Sequence, residues 1–218
     1  MAALKVGVLI SGRGSNLQAL LDAAAASGFP ARIVAVVSNR ADAGGLERAK
    51  CAGVPAYAIP HKDYPDRESF DRAVDTKLRA HDVEFVCLAG FMRLLSDWFI
   101  GQWADRIVNI HPSLLPAFKG LHPQAQALKA GVRLSGCTVH IVRRELDSGP
   151  IIVQAAVPVM PGDTPEVLEA RILTAEHRCY PLALRLIAEG RVHIDGDVVR
   201  IDGAAPSADM LFHPKPVP

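Results

Sequence analysis

Asn109 and His111 stand two residues apart at the end of a β-branched run, Arg106-Ile-Val-Asn-Ile-His-Pro-Ser-Leu-Leu-Pro116. Residues two apart in an extended strand point to the same side, so the amide and the imidazole can address one reacting atom. That pairing suits acyl transfer, in which the amide donates to an oxyanion and the imidazole moves protons. Pro112 and Pro116 stop regular structure immediately afterwards and leave both groups at a strand end, facing a cleft. The competing reading is a strand that runs into a proline-rich turn and leaves a histidine on the surface.

Three further segments carry candidate chemistry. Ser11-Gly-Arg-Gly-Ser-Asn16 follows the first apolar run and opens the first helix. Its glycines permit a tight turn, and a helix N-terminus offers free N–H groups and a positive dipole end, so the segment reads as a phosphate cradle. It lacks the third glycine of a GxGxxG fingerprint and the lysine of a P-loop. No acidic residue ends the second strand, Val37-Ser38-Asn39, which argues against a dinucleotide ribose site. Glu145-Leu-Asp147-Ser-Gly149-Pro150 is a turn between two strands. An aspartate there is either solvated or a partner for His111, whose charged form it would favour. Phe91-Met-Arg-Leu-Leu95 follows a strand ending at Gly90, at the sheet edge where open α/β folds bind ligands. Its plainer reading is the start of a packed helix. His140, inside a strand, and His122, in a loop, read as structural, and no metal-ligand spacing such as HExxH occurs.

The elements that must position these groups follow a βα alternation. Strands are expected at Val6–Ile10, Arg32–Ser38, Ala56–Ile59, Phe85–Ala89 and Ile107–Ile110, separated by helices at Ser15–Ser27, Gly44–Ala52 and Arg67–Ala80. Continuous apolar strands between helices predict an α/β fold, with a mostly parallel sheet covered on both faces. The second half adds a helix at Gly120–Ala130 and strands at Gly136–Val142 and Ile151–Val157. A long helix follows from Thr164 to Glu189 with a kink or break expected at Pro181, and then a hairpin around Asp195-Gly196. One domain over residues 1–202 is expected, with a loose, proline-containing tail at 203–218.

Composition narrows the function classes. Of 218 residues, 24 are Lys or Arg and 23 are Asp or Glu, which leaves no basic excess for a nucleic acid backbone. The apolar N-terminal run is too short for a membrane span, and no cleavage-like site follows it. Cys51, Cys87, Cys137 and Cys179 are far apart, which argues against zinc and against a disulfide framework. Buried reduced thiols in a cytoplasmic enzyme are expected.

Six segments in order resemble the phosphoribosylglycinamide formyltransferases, a folate-dependent family of purine synthesis. They are Ile10-Ser-Gly-Arg-Gly-Ser-Asn-Leu-Gln18, Ser38-Asn-Arg-Ala-Asp42, Leu88-Ala-Gly-Phe-Met-Arg-Leu-Leu95, Asn109-Ile-His-Pro-Ser-Leu-Leu-Pro116, Gly136-Cys-Thr-Val-His140 and Glu145-Leu-Asp147. The resemblance covers roughly residues 4 to 190. It implies a Rossmann-like three-layer domain whose N-terminal half binds a nucleotide and whose C-terminal half completes a folate site. By the same resemblance Asn109, His111 and Asp147 form the catalytic trio. Gly14, Ser15 and Asn16 hold the phosphate of glycinamide ribonucleotide, and Glu176 takes its ribose hydroxyls. Arg67, Met92, Arg93, Leu94, Leu95 and Asn109 contact the folate, with the backbone of Arg143, Arg144, Glu145, Leu146 and Asp147 around the pterin. The formyl donor is 10-formyltetrahydrofolate, a co-substrate, and no metal is called for. Where some members carry Gln near the ribose, this chain has Leu173, and Arg13 replaces an Asn.

The implied reaction is attack of the glycinamide amine on the formyl carbon through a tetrahedral intermediate. Rival readings are a 10-formyltetrahydrofolate hydrolase, a methionyl-tRNA formyltransferase and a non-catalytic folate or nucleotide binder. The tRNA enzyme needs an added nucleic-acid-binding domain for which no length is expected after residue 190. The expected partners are small molecules only, with neither nucleic acid nor membrane, and the protein is expected as a monomer or homodimer.

Overall fold

The computed structural model of the chain describes residues 2–204 and residue 213. Seven strands form one sheet in the order β3-β2-β1-β4-β5-β6-β7. The first five, β1 (Leu4–Ile10), β2 (Ala31–Ser38), β3 (Ala56–Ala58), β4 (Phe85–Leu88) and β5 (Ile107–His111), are parallel. Next, β6 (Leu134–Ile141) runs antiparallel to β5, and β7 (Ile151–Pro158) runs antiparallel to β6 and so in the direction of the first five. A separate hairpin pairs β8 (Val192–Asp195) with β9 (Val198–Ile201).

Side chains alternate across each strand and so feed two cores, one on each face of the sheet. Val8 and Ile10 join the core under α1 (Ser15–Ala25), α2 (Gly45–Cys51) and α6 (Pro165–Ala188), together with Leu17, Leu46 and Leu168. Leu9, between them, enters the opposite core with Phe70, Val74 and Leu78 of α3 (Arg67–Arg79) and Phe99 of α4 (Asp97–Gln102). The result is the expected three-layer α/β arrangement with a mostly parallel central sheet. Tyr180 ties α6 to the sheet, with its hydroxyl 2.9 Å from the Leu88 carbonyl and 3.2 Å from that of Val108.

Several elements differ from the sequence reading. No helix was expected at α4, whose six residues are too few to show a period and include Gly101. It is started instead by Ser96, whose hydroxyl accepts the Phe99 N–H. The Phe91–Leu95 stretch before it is irregular. Helix α5 begins at Pro123 rather than Gly120, because Gly120 and His122 both sit at positive φ and cannot continue a helix. Helix α6 runs unbroken through Pro181. The proline removes only the partner of the His177 carbonyl, and packing of α6 on the sheet holds the helix across that gap. Cys87, Cys137 and Cys179 are buried as free thiols, but Cys51, at the outer end of α2, is exposed. Most of the expected 203–218 tail lies outside the described residues.

Candidate functional site

The β1–α1 turn is built by Gly14, which has φ +74°. A Cβ there would lie 2.6 Å from the Gly45 Cα, so only glycine allows the turn and α2 to approach. The first intrahelical bond runs from the Gln18 N–H to the Gly14 carbonyl. The N–H groups of Ser15, Asn16 and Leu17 therefore point out of the helix end, where the dipole favours an anion. The Asn16 side chain turns elsewhere: its Nδ2 donates to Glu176 Oε2 at 2.8 Å. Asn16 Oδ1 is buried without a partner. Burial pushes the Glu176 carboxyl up to about 6, against the pull of the Asn16 hydrogen bond. Asn16 thus offers an anion its backbone N–H, while its side chain holds the carboxylate. Arg13 reaches away to Glu169 at 3.2 Å.

At the end of β5, Asn109 pairs across the antiparallel ladder with His140 of β6, and His111 pairs with Thr138. Asn109 Nδ2 lies 3.3 Å from His140 Nε2, and His140 Nδ1 lies 3.0 Å from the Ile141 carbonyl. Burial lowers the His140 pKa and so favours the neutral ring. With its proton on Nδ1, it accepts one Asn109 N–H at Nε2 and leaves the other free. His111 is buried, and both its ring nitrogens face oxygen. Nε2 lies 2.9 Å from the Phe118 carbonyl, and Nδ1 lies 3.4 Å from Asp147 Oδ2. Asp147, at φ +48°, also takes the Gly120 N–H at 2.9 Å and lies 3.9 Å from His140 Nε2. The structure thus brings Asn109, His111, Asp147 and His140 into one cluster.

The turn carrying Asp147 depends on Gly149, where a Cβ would meet the Ile141 carbonyl oxygen at 1.7 Å. Around it Arg144, Glu145 and Leu146 are exposed, whereas Arg143 is drawn off to Asp105 at 2.6 Å. On the other side, Met92 and Leu94 of the 90–95 loop are 71% and 53% exposed. Leu95 packs into the core beneath them and offers a ligand only its backbone. Arg93 lies over Phe70, with its guanidinium carbon 5.2 Å from the ring centroid and its Nε buried without a partner. Arg67 starts α3, exposed, beside the buried Asp71.

Strands β1, β4 and β5 are adjacent and parallel, so their carboxyl ends share one edge of the sheet. The Gly12–Asn16 turn, the 90–95 loop and the Asn109–His111 pair therefore lie side by side, spread over about 10 Å at two strand spacings. Glu176 reaches this edge from α6. Among the described residues, no group of three His, Cys, Asp or Glu side chains is arranged to hold a metal ion.

A family model described as "Formyl transferase" matches residues 4–184. The chain belongs to the formyl transferase family. Within that family it is 44% identical over 200 residues to the phosphoribosylglycinamide formyltransferase of Escherichia coli K12, covering 92% of this chain and 94% of that one. It is 57% identical over 188 residues, 85% of this chain, to the trifunctional purine biosynthetic protein adenosine-3 of Drosophila pseudoobscura pseudoobscura. It spans only 14% of that relative's length. Among solved formyl transferase structures, glycinamide ribonucleotide transformylase 1 from Symbiobacterium toebii superposes with a TM-score of 0.90 at 55% identity. That match covers 91% of this chain and 94% of the other.

The sequence alone reads His140 as structural. Its contact with Asn109 follows from β5–β6 register, and a lone histidine in a strand gives no sign of what lies opposite. The Phe118 carbonyl and the Gly120 N–H were also missed, because backbone groups leave no residue-type signal.

Proposed function

We propose that this formyl transferase moves the formyl group of 10-formyltetrahydrofolate to the amine of glycinamide ribonucleotide. The observation that carries the reading is the Asn109–His111–Asp147 cluster, with His111 and Asp147 buried, at the carboxyl end of β5, beside the 90–95 loop that follows β4 and two strand spacings from the α1 N-terminus. The names of its relatives support the same reaction.

Each group has work suited to its surroundings. The N–H groups at Gly14–Asn16 favour a phosphate, and Glu176 accepts hydroxyl protons from a ribose. Met92 and Leu94 offer an apolar lining for a flat folate ring, and the unpartnered Arg93 Nε offers a donor. The free Asn109 N–H serves the negative charge that builds on the formyl oxygen as the amine attacks. Such a donor lowers the barrier by about 3–4 kcal/mol. Asp147 orients His111, whose ring can donate to the oxyanion, pass a proton to the departing folate nitrogen and take up the one that the attacking amine loses. Reaching those atoms requires the His111 Nε2–H to leave the Phe118 carbonyl. The buried free thiols support a reducing, cytoplasmic setting.

Steady-state turnover of 10-formyltetrahydrofolate, with and without glycinamide ribonucleotide, tests the reading. Formylated nucleotide and stoichiometric tetrahydrofolate are expected only when both substrates are present. Tetrahydrofolate and free formate without the nucleotide would make the protein a hydrolase, and no turnover would make it a binder.

A further inference from the structure

The 90–96 segment presents large apolar side chains to solvent and has no regular structure of its own. Something else must hold its shape. Among the described residues, two of its backbone N–H groups are bonded to protein side chains, one near each end. The Met92 N–H donates to Ser11 Oγ at 2.8 Å, and the Ser96 N–H donates to Asp71 Oδ2 at 2.6 Å. Both acceptors are buried, with Asp71 1% exposed.

Ser11 is the residue between β1 and the Gly12–Asn16 turn, so its hydroxyl joins the nucleotide loop to the 90–96 loop directly. It is itself oriented. Its own proton goes to Asn39 Oδ1 at 2.6 Å, which turns the oxygen lone pairs toward Met92. Asn39 is buried at the end of β2, and its Nδ2 lies 3.2 Å from His61 Nδ1. A chain of polar groups thus runs from His61 through Asn39 and Ser11 to the Met92 amide. At the other end, Asp71 lies on α3 and Ser96 caps α4, which joins the loop to the helices of the second core.

We propose that Ser11 and Asp71 are positioning residues for the formyl donor: they pin the two ends of the 90–96 loop, Ser11 against the nucleotide turn and Asp71 against α3. The Ser11 link sets the donor loop and the nucleotide loop in one frame, so the amine and the formyl carbon are brought to a common distance. This inference rests on the reading of the 90–95 loop as folate-binding.

Two measurements test it, one of which needs no substrate. In Ser11→Ala the Met92 amide should exchange its hydrogen about 3- to 10-fold faster, the loss of one neutral hydrogen bond. The folate KM, and the Kd of tetrahydrofolate measured by titration, should rise about 3- to 10-fold, with the nucleotide KM unchanged within about twofold. Ser11→Cys keeps the packing but accepts hydrogen bonds weakly, and it should show the same split if Ser11→Ala proves poorly folded. Asp71→Asn retains an oxygen for Ser96 and should disturb the folate KM less than Asp71→Ala. Equal rises in both KM values would overturn the proposal, since Ser11 would then only shape the nucleotide turn. So would faster Met92 exchange with unchanged tetrahydrofolate affinity. A wild-type protein that transfers no formyl group, yet shows the Met92 and tetrahydrofolate changes on substitution, would overturn the reaction and leave the pinning supported.

Discussion

Asp147 Oδ2 lies 3.4 Å from His111 Nδ1 and accepts the Gly120 N–H at 2.9 Å with the same oxygen. One carboxylate therefore serves the imidazole and the loop that carries the Phe118 carbonyl toward it. That double role makes Asp147→Asn informative, because the amide oxygen can keep the Gly120 bond while the negative charge is lost. We expect kcat to fall about 100-fold, at the low end of what a positioned proton donor contributes. The thermal midpoint should stay close to that of the wild type. Unchanged kcat in steady-state assays would reduce Asp147 to a turn residue.

Asn109→Ala removes the donor for the developing oxyanion and should lower kcat by about 10²- to 10³-fold with little change in either KM. His140→Leu removes the acceptor that orients the Asn109 amide and should cost less. Because the two side chains are in contact, the double variant should fall short of the product of the two single effects. Full additivity in the double-mutant cycle would show that His140 does not act through Asn109.

Glu176 provides a pH test of stability. Burial raises its carboxyl from 4.5 to about 6, so between these values the folded state binds more protons than the unfolded chain. Stability from this group falls as pH rises through that window, and the full cost of about 2 kcal/mol is present above it. Glu176→Gln keeps an oxygen for Asn16 Nδ2 and carries no charge. The variant should melt higher than wild type at pH 7.5, and the two curves should converge near pH 4.5. Its nucleotide KM should rise, because a ribose hydroxyl loses a charged acceptor. A variant that melts no higher at pH 7.5 would contradict the assigned burial cost.

Gly149→Ala should be costly out of proportion to its size. The added Cβ would lie 1.7 Å from the Ile141 carbonyl oxygen, and backbone rather than a flexible side chain must move. A loss of about 1–3 kcal/mol is expected from such overpacking, read as a lower denaturant midpoint. The shifted turn carries Asp147, so kcat of the folded fraction should drop as well. Gly162→Ala, at a positive-φ position with open space around it, provides the comparison for backbone conformation alone.

The sequence by itself determined what depends on near neighbours along the chain. The βα alternation, the three-layer fold and the position of Asn109 beside His111 all follow from local periodicity, turn residues and strand geometry. The Ser11–Asn16 turn was readable for the same reason, because its glycines and helix start are adjacent in the chain. Helix α4 escaped because six residues carry too little pattern, and the unbroken course of α6 through Pro181 reflects packing against the sheet. Only the tertiary structure decided how distant groups meet. Strand register set His140 opposite Asn109, the turn at Asp147 closed on His111, and Asn16 turned its side chain to a glutamate 160 residues away. It also drew Arg143 off to Asp105, while the Ser11 hydroxyl took the Met92 amide. Hydrogen bonds and ion pairs act over a few ångströms, so which groups share them depends on distances that exist only once the chain has folded.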